Sequence, residues 1–478
     1  MANYNYKEAL SHKIFKYINK ATEELQLESY VIGGFVRDLI LQRNCVKDID
    51  IVAVGSGIKL AQRVAALLPD KPKIQIYKTY GTAMLRFEDI EVEFVGARKE
   101  SYTQNSRNPK VFSGNLKDDQ NRRDFTINAL ALSLNTDSFG CLIDPFKGVV
   151  DLKNKIIRTP KNPDITYSDD PLRMLRAIRF AAQLNFTIED ASLKAISKNA
   201  ERIGIITKER IVAELNKILH SNKPSVGFLL LEETTLLERI LPELTVLKGV
   251  EEFEGQKHKD NFYHSLEVLD NIAQNTDNIW LRWAALLHDI GKAPTKKYDF
   301  QKGWTFYSHE FVGSKMVFKI FKRLRMPLNN KMKFVQKMVL LSSRPIVLAT
   351  EVTDSAIRRL IFDAGNEVES LMLLCEADIT TKNTKKYQLY RKNFQIVRQK
   401  IKEVEERDRI RNFQPPINGE EIMKAFSLQP CREIGKIKEA IKEAVLDGKI
   451  PNEHKACYDF MIEKARELGV AKNNLYKH

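Results

Sequence analysis

The spacing of apolar residues changes once along this chain, near residue 165. Before that point, Ile74 to Tyr77, Ala83 to Phe87 and Ile90 to Val95 have the short apolar patterns of β-strands. Beyond it, strand patterns nearly disappear and apolar residues recur at three- and four-residue spacing, which is typical of helices. This change of period predicts an α+β head followed by an all-helical body.

Prolines and changes in composition divide the chain further. At about 100–200 residues per domain, 478 residues correspond to roughly three domains. Pro160 and Pro163 mark the end of the head. We expect a head, a helical neck, a histidine-bearing helical section and a helical tail, with the ranges 1–158, 159–248, 249–382 and 383–478.

The composition argues against membrane-spanning and secreted proteins. No run of about 18 apolar residues occurs, and the start, MANYNYKEALSHKIF, lacks the apolar stretch of a signal peptide. Five scattered cysteines without a CxxC pair argue against a disulfide framework or a cysteine zinc site. A reducing, cytoplasmic location fits these features better.

The chain carries a large excess of positive charge. It has 77 lysines and arginines against 62 aspartates and glutamates, a net charge of +15. Such an excess favours a polyanionic partner, nucleic acid first. Residues 383–412 alone hold ten basic and four acidic side chains, and they predict a charged helix interrupted at Pro415 and Pro416.

A glycine pair stands between an apolar strand pattern and a predicted helix, in residues 31–38 (VIGGFVRD). Glycine lets backbone N–H groups approach a polyphosphate closely, and a helix N-terminus adds favourable polarity. Gly33 and Gly34 are therefore candidate phosphate-binding residues, with Arg37 as a nearby positive charge. For this motif alone, an ordinary strand–turn–helix corner is the alternative.

Two aspartates follow at strand spacing in residues 48–52 (DIDIV). Positions i and i+2 of a strand face the same side, so Asp48 and Asp50 can share a divalent cation. Two magnesium ions held by carboxylates can deprotonate an attacking hydroxyl and stabilise a leaving pyrophosphate. A third carboxylate usually completes such a site; Glu91 and Glu93 are the candidates, and we choose Glu93.

A third block, residues 122–130 (RRDFTINAL), places two arginines before a predicted helix. Arg122 and Arg123 suit contacts with a triphosphate or a ribose. Asn128 can hydrogen-bond a sugar or brace Asp124. An N-capped helix with Asp124 as its cap is the simpler interpretation, and the two are compatible.

A fourth block, residues 168–180 (SDDPLRMLRAIRF), opens a helix. Asp170 and Arg173 are three positions apart and therefore neighbours on one face. An aspartate accepts from an amino group and an arginine donates to a ring nitrogen, a pattern that suits cytosine and adenine but not guanine or uracil. A capping aspartate with a surface salt bridge is the alternative. Arg176 and Arg179 extend the basic stripe towards phosphates.

In this order and spacing, GGFVRD, DID, RRDFTINAL and DDPLRMLRAIRF resemble the class II tRNA nucleotidyltransferases, the CCA-adding enzymes, and their bacterial poly(A) polymerase relatives. The likeness covers about residues 25–220. Residues 208–211 (KERI) with Glu214 resemble a further neck motif of this family, while Asp169 stands where the family usually has glutamate.

The resemblance implies a polymerase β-like nucleotidyltransferase head with magnesium at Asp48 and Asp50. The implied activity is template-independent addition of CCA from CTP and ATP to the 3′ end of tRNA, with release of pyrophosphate. The implied partners are tRNA, ATP and CTP, with no membrane and no DNA. The candidate nucleotide-binding residues are Gly33, Gly34, Arg37, Arg122, Arg123, Asp124, Asn128, Asp170, Arg173, Arg176 and Arg179.

A His-Asp pair ends a predicted helix at His288 and Asp289, and further histidines flank it. Such a group can hold one or two divalent metals. The section resembles the HD phosphohydrolase superfamily, and His264, His288, Asp289 and Asp378 match its ligand pattern. Ser342 stands where related chains often have a histidine, so a structural HD fold with weak or no hydrolysis is the alternative.

The last section, with INGEEIM at residues 417–423 and PCREIG at 430–435, resembles the tail of HD-containing CCA-adding enzymes. Together with the basic stretch at 383–412 it predicts an RNA-contacting tail. Rival functions are a poly(A) polymerase, a partial CC-adding or A-adding enzyme, an HD-type metal-dependent phosphohydrolase and a non-catalytic RNA-binding protein.

Overall fold

The computed structural model describes residues 6–43, 48–103, 106–253, 256–257, 259–348, 353–408 and 414–470. The chain forms two compact units, residues 1–245 and 246–478. The mixed head and the helical remainder agree with the predicted α+β class. The finer division into four ranges stays a prediction.

The first unit contains all the longer strands. They are β1 (Glu28–Ile32), β2 (Asp48–Val54), β3 (Gln75–Tyr77), β4 (Thr82–Phe87), β5 (Ile90–Gly96), β6 (Arg98–Thr103), β7 (Ser106–Ser113), β8 (Ala131–Ser133), β9 (Leu142–Ile143), β10 (Ile156–Ile157) and β11 (Thr187–Ile188). Seven of them form one sheet in the order β3-β4-β5-β2-β1-β8-β9. The predicted strand segments correspond to β3, β4 and β5.

Helices follow in the same unit. They are α1 (Lys13–Glu24), α2 (Gly34–Ile40), α3 (Gly57–Leu67), α4 (Leu116–Asn121), α5 (Gly148–Asn154), α6 (Pro163–Asp169), α7 (Leu172–Leu184), α8 (Asp190–Asn199), α9 (Lys208–Leu219), α10 (Pro224–Glu233), α11 (Leu236–Ile240) and α12 (Pro242–Thr245). α3 packs on β2, β4 and β5 and covers one face of the sheet. α7 packs against α9 and α10.

The register of the sheet decides which side chains share a face. β1 pairs antiparallel with β2, so that Tyr30 lies opposite Val52 and Ile32 lies opposite Asp50. Tyr30, Ile32 and Val52 belong to a buried apolar cluster. Because side chains alternate along a strand, Asp50 is on the face of this cluster, opposite the face that α3 covers.

The second unit is helical, with two small hairpins. The strands are β12 (Glu252–Phe253), β13 (Gln256–Lys257), β14 (Lys297–Asp299) and β15 (Gly303–Thr305). The helices are α13 (Asn261–Ala273), α14 (Ile279–Leu287), α15 (Lys292–Thr295), α16 (His309–Arg323), α17 (Asn330–Leu341), α18 (Arg344–Leu348), α19 (Asp354–Ala364), α20 (Val368–Ala377), α21 (Thr384–Asp408), α22 (Gly419–Phe426), α23 (Arg432–Leu446) and α24 (His454–Glu467).

α14 is the centre of this unit. Every residue from Leu281 to Leu287 is buried, and the helix packs against α13, α17 and α20. Further along, α23 buries the predicted stripe of Ile434, Ile437, Ile441 and Val445. Within the part of the chain that the structure describes, no helix has the length and apolar character needed to cross a membrane.

Candidate active site

Two neighbouring strands carry the predicted carboxylates. β2 runs parallel to β5, with Asp48 opposite Glu91 and Asp50 opposite Glu93. Registered partners, and residues two apart on one strand, share a face. All four carboxylates therefore lie on the same side of the sheet, with Asp50 partly buried and the other three exposed.

Negative charge is concentrated on this face. Burial raises the pKa of Asp50 most; Arg123 opposes this rise, and the charge of Asp48 adds to it. Burial also raises the pKa of Glu93, with the charge of Asp50 as the next cause. Oxygen ligands that repel one another in this way fit a hard divalent cation, because its charge offsets the repulsion.

The glycine turn meets these carboxylates. Gly33 joins β1 to α2 with φ of +86°, a conformation that favours glycine, and Gly34 is the first residue of α2. A Cβ atom at Gly33 would lie 3.0 Å from Nη1 of Arg123 and 3.2 Å from Oδ2 of Asp50. The N–H of Gly33 donates to the carbonyl of Leu130, so this glycine provides room for a ligand rather than a donor.

Arg37 is buried and its donors are occupied. Nε and Nη2 each donate to Asp38 at 2.9 Å, and Nη1 donates to Oδ1 of Asn128 at 2.8 Å. Its guanidinium also lies 4.9 Å from the ring centre of Phe180. The structure therefore uses Arg37 to brace the turn, where the sequence suggested a direct phosphate contact.

The two arginines of the third block share one buried acid. Asp119, which is 0% exposed, accepts from Nε of Arg122 at 2.9 Å and from Nε of Arg123 at 3.2 Å. Glu100 pairs with Arg122 at 3.2 Å. Asp119 is not among the residues predicted from the sequence, although an acid three and four positions before two arginines at the end of a helix is a recognisable pattern.

Asn128 braces Asp124 as predicted, but the segment around them is not the predicted helix. Nδ2 of Asn128 donates to Oδ1 of Asp124 at 3.0 Å. The predicted helix here is wrong, because Thr126–Asn128 forms a single 3-10 turn. The chain cannot continue as a helix, since Ala131 already pairs with Ile32 in the sheet.

The carboxyl of Asp124 is also held by the neck helix. Nε of Arg176 donates to Oδ2 of Asp124 at 2.7 Å. Burial alone would raise the pKa of Asp124, but the charge of Arg176 and the hydrogen bond from Asn128 outweigh it and lower the pKa to about 2. This ion pair joins α7 to the turn at residues 124–128.

The pair predicted to read the base lies at the start of α7, and both members are half-buried. Oδ1 of Asp170 accepts from the N–H of Leu172 at 3.2 Å, so this aspartate does cap the helix. Nη2 of Arg173 donates to the carbonyl of Arg122 at 2.7 Å. The structure thus points Arg173 at the arginine block of the head.

Arg179 does not continue the predicted stripe towards phosphates. Its Nε lies 2.8 Å from Oε2 of Glu214 on α9, and its guanidinium stacks 4.0 Å from the ring centre of Phe180. Burial lowers the pKa of Arg179 to about 10, with Glu214 opposing the change. Arg179 therefore lies between α7 and α9 and links the two helices through its ion pair with Glu214.

The second unit brings the four predicted HD residues together. Nε2 of His264 lies 2.8 Å from Oδ1 of Asp378 and 3.6 Å from Oδ2 of Asp289. Nε2 of His288 lies 3.4 Å from Oδ2 of Asp289 and 3.7 Å from Oδ1 of Asp378. Ligand atoms of His264, His288 and Asp378 all lie within 4.8 Å of one another, a spacing that can hold a metal ion.

The surroundings of His288 show whether the cluster is suited to a metal ion. Its Nδ1 donates to the carbonyl of Ala285 at 2.8 Å, while its buried Nε2 has no hydrogen bond of good geometry and faces the carboxylates. Burial alone lowers the pKa of His288, but Asp289 and Asp378 outweigh it and raise the pKa to about 10. A buried nitrogen in a pocket that favours positive charge fits a divalent metal.

Other groups surround this centre. Nζ of Lys292 lies 2.6 Å from Oδ2 of Asp289, and Nε2 of His309 lies 3.6 Å from its Oδ1. The hydroxyl of Ser342 is buried and donates to the carbonyl of Val339, one turn earlier in α17. The hydroxyl of Ser342 is therefore bonded to the last turn of α17.

Comparison with known proteins gives three matching protein-family profiles. The "Poly A polymerase head domain" matches residues 29–158, the "Probable RNA and SrmB- binding site of polymerase A" matches 185–247, and the "HD domain" matches 261–383. Together they span the carboxylate face, the neck and the histidine cluster described above.

Curated relatives include proteins of several named specificities. The multifunctional CCA protein of Shewanella frigidimarina is 33% identical over 74% of this chain and 84% of its own length. The CCA-adding enzyme of Bacillus velezensis is 28% identical over 89% of this chain and 91% of its own length. The A-adding tRNA nucleotidyltransferase of Aquifex aeolicus is 36% identical over 51% of this chain, which spans only 28% of that protein.

Solved structures share the fold. A CCA-adding enzyme in complex with ATP superposes with a TM-score of 0.63 at 22% identity, over 98% of this chain and 100% of that one. The Thermotoga maritima CCA-adding enzyme complexed with tRNA superposes with a TM-score of 0.59 at 23% identity, over 97% and 100%. With the sequence relatives, these likenesses establish that the chain belongs to the family of tRNA nucleotidyltransferases and bacterial poly(A) polymerases.

Proposed function

We propose that this chain adds C, C and A to the 3′ end of tRNA by template-independent nucleotidyl transfer from CTP and ATP, with release of pyrophosphate. One observation carries the proposal: Asp48, Asp50 and Glu93 share a sheet face, directly beside the room left by Gly33 and the guanidinium of Arg123. Carboxylates next to a phosphate-sized space and a cation are what nucleotidyl transfer requires.

Asp48 and Asp50 would hold magnesium, with Glu93 as the third carboxylate. When bound, the metal lowers the pKa of the attacking 3′ hydroxyl and offsets the charge that develops on the leaving pyrophosphate. The chain's own groups would orient the nucleotide. Arg123 lies beside Gly33 and is held by Asp119, and from this position it would face the triphosphate. Use of a divalent metal follows from the family, and its identity as magnesium is part of the proposal.

Base selection is assigned to the start of α7. The carboxylate of Asp170 would accept from the amino group of cytosine or adenine, and Arg173 would donate to the adjacent ring nitrogen. The support is positional, because the hydrogen bond from Arg173 to the carbonyl of Arg122 fixes this pair beside the arginine block. Guanine and uracil present the opposite pattern and would leave the donor of Arg173 and the acceptor of Asp170 unpaired.

The partner proposed for the basic surfaces is tRNA. The first half of α21 exposes Lys385, Lys386, Arg391 and Lys392, and no acid precedes Glu403 in that helix. Such a row suits contacts with the phosphate backbone, which carry most of the affinity for structured RNA.

The described cysteines, at positions 141, 375, 431 and 457, are free thiols, which supports a cytoplasmic location; Cys45 lies outside the described residues.

Nucleotide incorporation tests the proposal. Transcripts of tRNA that end before CCA, after CC, or with complete CCA would each be incubated with labelled CTP, ATP, GTP or UTP and magnesium. CTP followed by ATP addition that stops after the terminal A supports full CCA addition. A long tail from ATP alone points to a poly(A) polymerase, and ATP addition only to the CC-ending transcript points to an A-adding enzyme.

Variants at the carboxylates complete this test. Asp50→Asn retains the shape of the side chain and removes its charge, so incorporation should fall at least about a thousandfold without loss of folding. Glu93→Gln should reduce it strongly, whereas Glu91→Gln, on the same strand and face, should retain most activity. Loss of activity in Glu91→Gln but not in Glu93→Gln would move the third ligand to Glu91.

The histidine cluster favours a second candidate function, metal-dependent hydrolysis of a phosphate ester. The unsatisfied Nε2 of His288 and the ligand atoms gathered within 4.8 Å support it. His264, His288, Asp289 and Asp378 would hold one divalent ion, which supplies a water of lowered pKa when bound. Lys292 lies beside Asp289, where its charge can face a phosphate.

Hydrolysis of p-nitrophenyl phosphate with Mn²⁺, Ni²⁺ or Mg²⁺ tests this candidate. Activity that disappears in His288→Asn and persists in Asp50→Asn supports it. Equal rates in wild type and His288→Asn, or no rate with any of the three metals, would leave the cluster with a structural role.

A further inference from the structure

An aromatic and basic surface lies on the second unit and takes no part in the function proposed above. Residues 292–319, from α15 through the β14–β15 hairpin into α16, contain seven aromatic residues and six lysines but only two acids. The aromatic–lysine surface comprises Phe253, Tyr298, Phe300, Trp304, Tyr307 and Phe311 with Lys296, Lys302 and Lys315.

Part of this surface is a cluster of rings in edge-on contact across the two small hairpins. The ring centre of Phe253 lies 4.5 Å from that of Tyr298 and 6.2 Å from that of Phe300. Tyr298 in turn lies 5.3 Å from Trp304. These edge-on contacts fix the positions of two outer rings, Phe253 and Phe300.

The outer rings remain open to solvent. Phe300 is 78% exposed, Tyr307 65%, Phe311 52% and Phe253 45%. Three of these four side chains lie within residues 300–311, and none of the four is buried in a core. Grouped exposure of this kind marks an interaction surface.

Lysines lie over the same rings. Nζ of Lys315 lies 4.0 Å from the ring centre of Phe311, and Nζ of Lys302 lies 5.7 Å from that of Tyr307. Residues 292–319 hold six lysines and two acids, Asp299 and Glu310, a net charge of 6 − 2 = +4. Two of these lysines pair with acids outside the range, Lys292 with Asp289 and Lys296 with Glu251. Flat apolar faces and a positive field thus occur together.

We propose that the aromatic–lysine surface binds single-stranded RNA. Unpaired bases stack on exposed rings, and the lysines match the charge of the phosphates between them. Double-stranded RNA is a poor occupant, because its bases are already stacked on one another inside the helix. The surface adjoins the histidine cluster: Nζ of Lys292 lies 5.8 Å from the ring centre of Phe306 and 2.6 Å from Oδ2 of Asp289.

Fluorescence anisotropy with the full chain tests the proposal. The probe is a fluorescein-labelled 12-nucleotide oligouridylate, compared with a 12-base-pair RNA duplex. Because stacking on one ring contributes at least about fivefold in affinity, Phe300→Ala/Tyr307→Ala should weaken binding of the single strand at least about fivefold. Binding of the duplex should change less than twofold.

A local readout separates this surface from other basic parts of the chain. An oligonucleotide with one 2-aminopurine should lose fluorescence as its base stacks, and this loss should disappear in the double alanine variant. Phe300→Trp/Tyr307→Phe should retain the quenching, whereas Phe300→Leu/Tyr307→Leu should not. Leu328→Ala/Leu468→Ala removes exposed apolar side chains elsewhere in the unit and is the matched control.

Three results would overturn the proposal: no binding of the single strand by wild type, quenching that persists in the double alanine variant, or full rescue by the leucine pair. The nucleotidyl-transfer and hydrolysis assays do not enter this test. Failure here therefore leaves the proposed function intact, and failure of the proposed function leaves this surface testable.

Discussion

Asp119 is a buried carboxylate whose role depends on the two arginines that it holds. It accepts from Arg122 and Arg123 and is itself excluded from solvent. A charge-assisted contact of this kind fixes a guanidinium in one geometry, which a mobile surface arginine lacks. We therefore infer that Asp119 is a positioning residue for Arg123, the arginine proposed to face the triphosphate.

Asp119→Asn should raise the KM for CTP and ATP at least about tenfold while kcat falls less, because Arg123 would lose its orientation. The free energy of unfolding should drop by about 1–3 kcal/mol, since buried donors lose a charged partner. Steady-state kinetics and urea unfolding measure the two effects. Asp118→Asn, at the neighbouring half-buried residue whose side chain caps α4, is the control for KM. Equal KM values in both variants would refute the positioning role.

Asp124 gives a pH dependence with a definite sign. Its pKa in the folded chain is lowered from 3.8 to about 2 by Arg176 and Asn128 against the effect of burial. A depressed pKa contributes stability that is present above pH 3.8 and is lost as the pH falls through about 2. The shift corresponds to about 2 kcal/mol.

Asp124→Asn imitates the protonated side chain, so the stability difference between wild type and variant should be about 2 kcal/mol at pH 5 and should shrink towards pH 2. Urea unfolding at several pH values measures this difference. A difference that stays constant from pH 5 to pH 2 would mean that the Asp124–Arg176 pair contributes nothing to stability.

At the scale of elements, the turn between β1 and α2 makes the strongest demand on residue type. Gly33 has positive φ, and its missing side chain leaves the space next to Asp50 and Arg123. Any Cβ would both strain the backbone and fill the place where a phosphate would lie. Gly435, within α23, has open space around it and carries no such demand.

Gly33→Ala should reduce nucleotide incorporation at least about a hundredfold and destabilise the chain by about 1–3 kcal/mol. Gly435→Ala should leave incorporation unchanged and stabilise the chain by about 0.5–1 kcal/mol, since alanine is the better helix former. Incorporation assays and thermal unfolding compare the two. Normal activity in Gly33→Ala would show that the turn does not contact the nucleotide.

At the scale of the whole molecule, the two units hold separate candidate sites. The carboxylate face and the pair Asp170 and Arg173 lie in residues 1–245, and the histidine cluster lies in residues 246–478. A ligand that binds only the folded form stabilises the unit that holds it. Metal binding at the histidine cluster is therefore measurable as stability, independently of any reaction.

Mn²⁺ at about 100 times its dissociation constant should stabilise the second unit by about 3 kcal/mol. The shift would be measured by thermal unfolding, with hydrogen exchange of the backbone amides in α13, α14 and α20 as the local readout. The shift should disappear in His264→Asn/His288→Asn and persist in Asp48→Asn. An unchanged shift in the histidine variant would place the metal elsewhere.

Local patterns in the sequence determined much of this protein. The i, i+2 spacing of Asp48 and Asp50, the glycine pair, the start of α7 and the stripe of α23 are set by residues a few positions apart, because strand and helix periods are local properties. The same locality explains one error: RRDFTINAL has helical spacing, but sheet pairing at Ala131 ends it after one turn.

Only the tertiary structure decided which partner each charged group found. Arg37 is directed to Asn128, Arg173 to the carbonyl of Arg122, and His264 to Asp378 across contacts 91, 51 and 114 residues apart in sequence. Each charged group pairs with whichever acceptor or opposite charge the packed backbone brings within about 3 Å, and no period in the sequence encodes that distance. The sequence therefore determined the residue types and elements of the site, and the packing determined which hydrogen bonds and ion pairs join them.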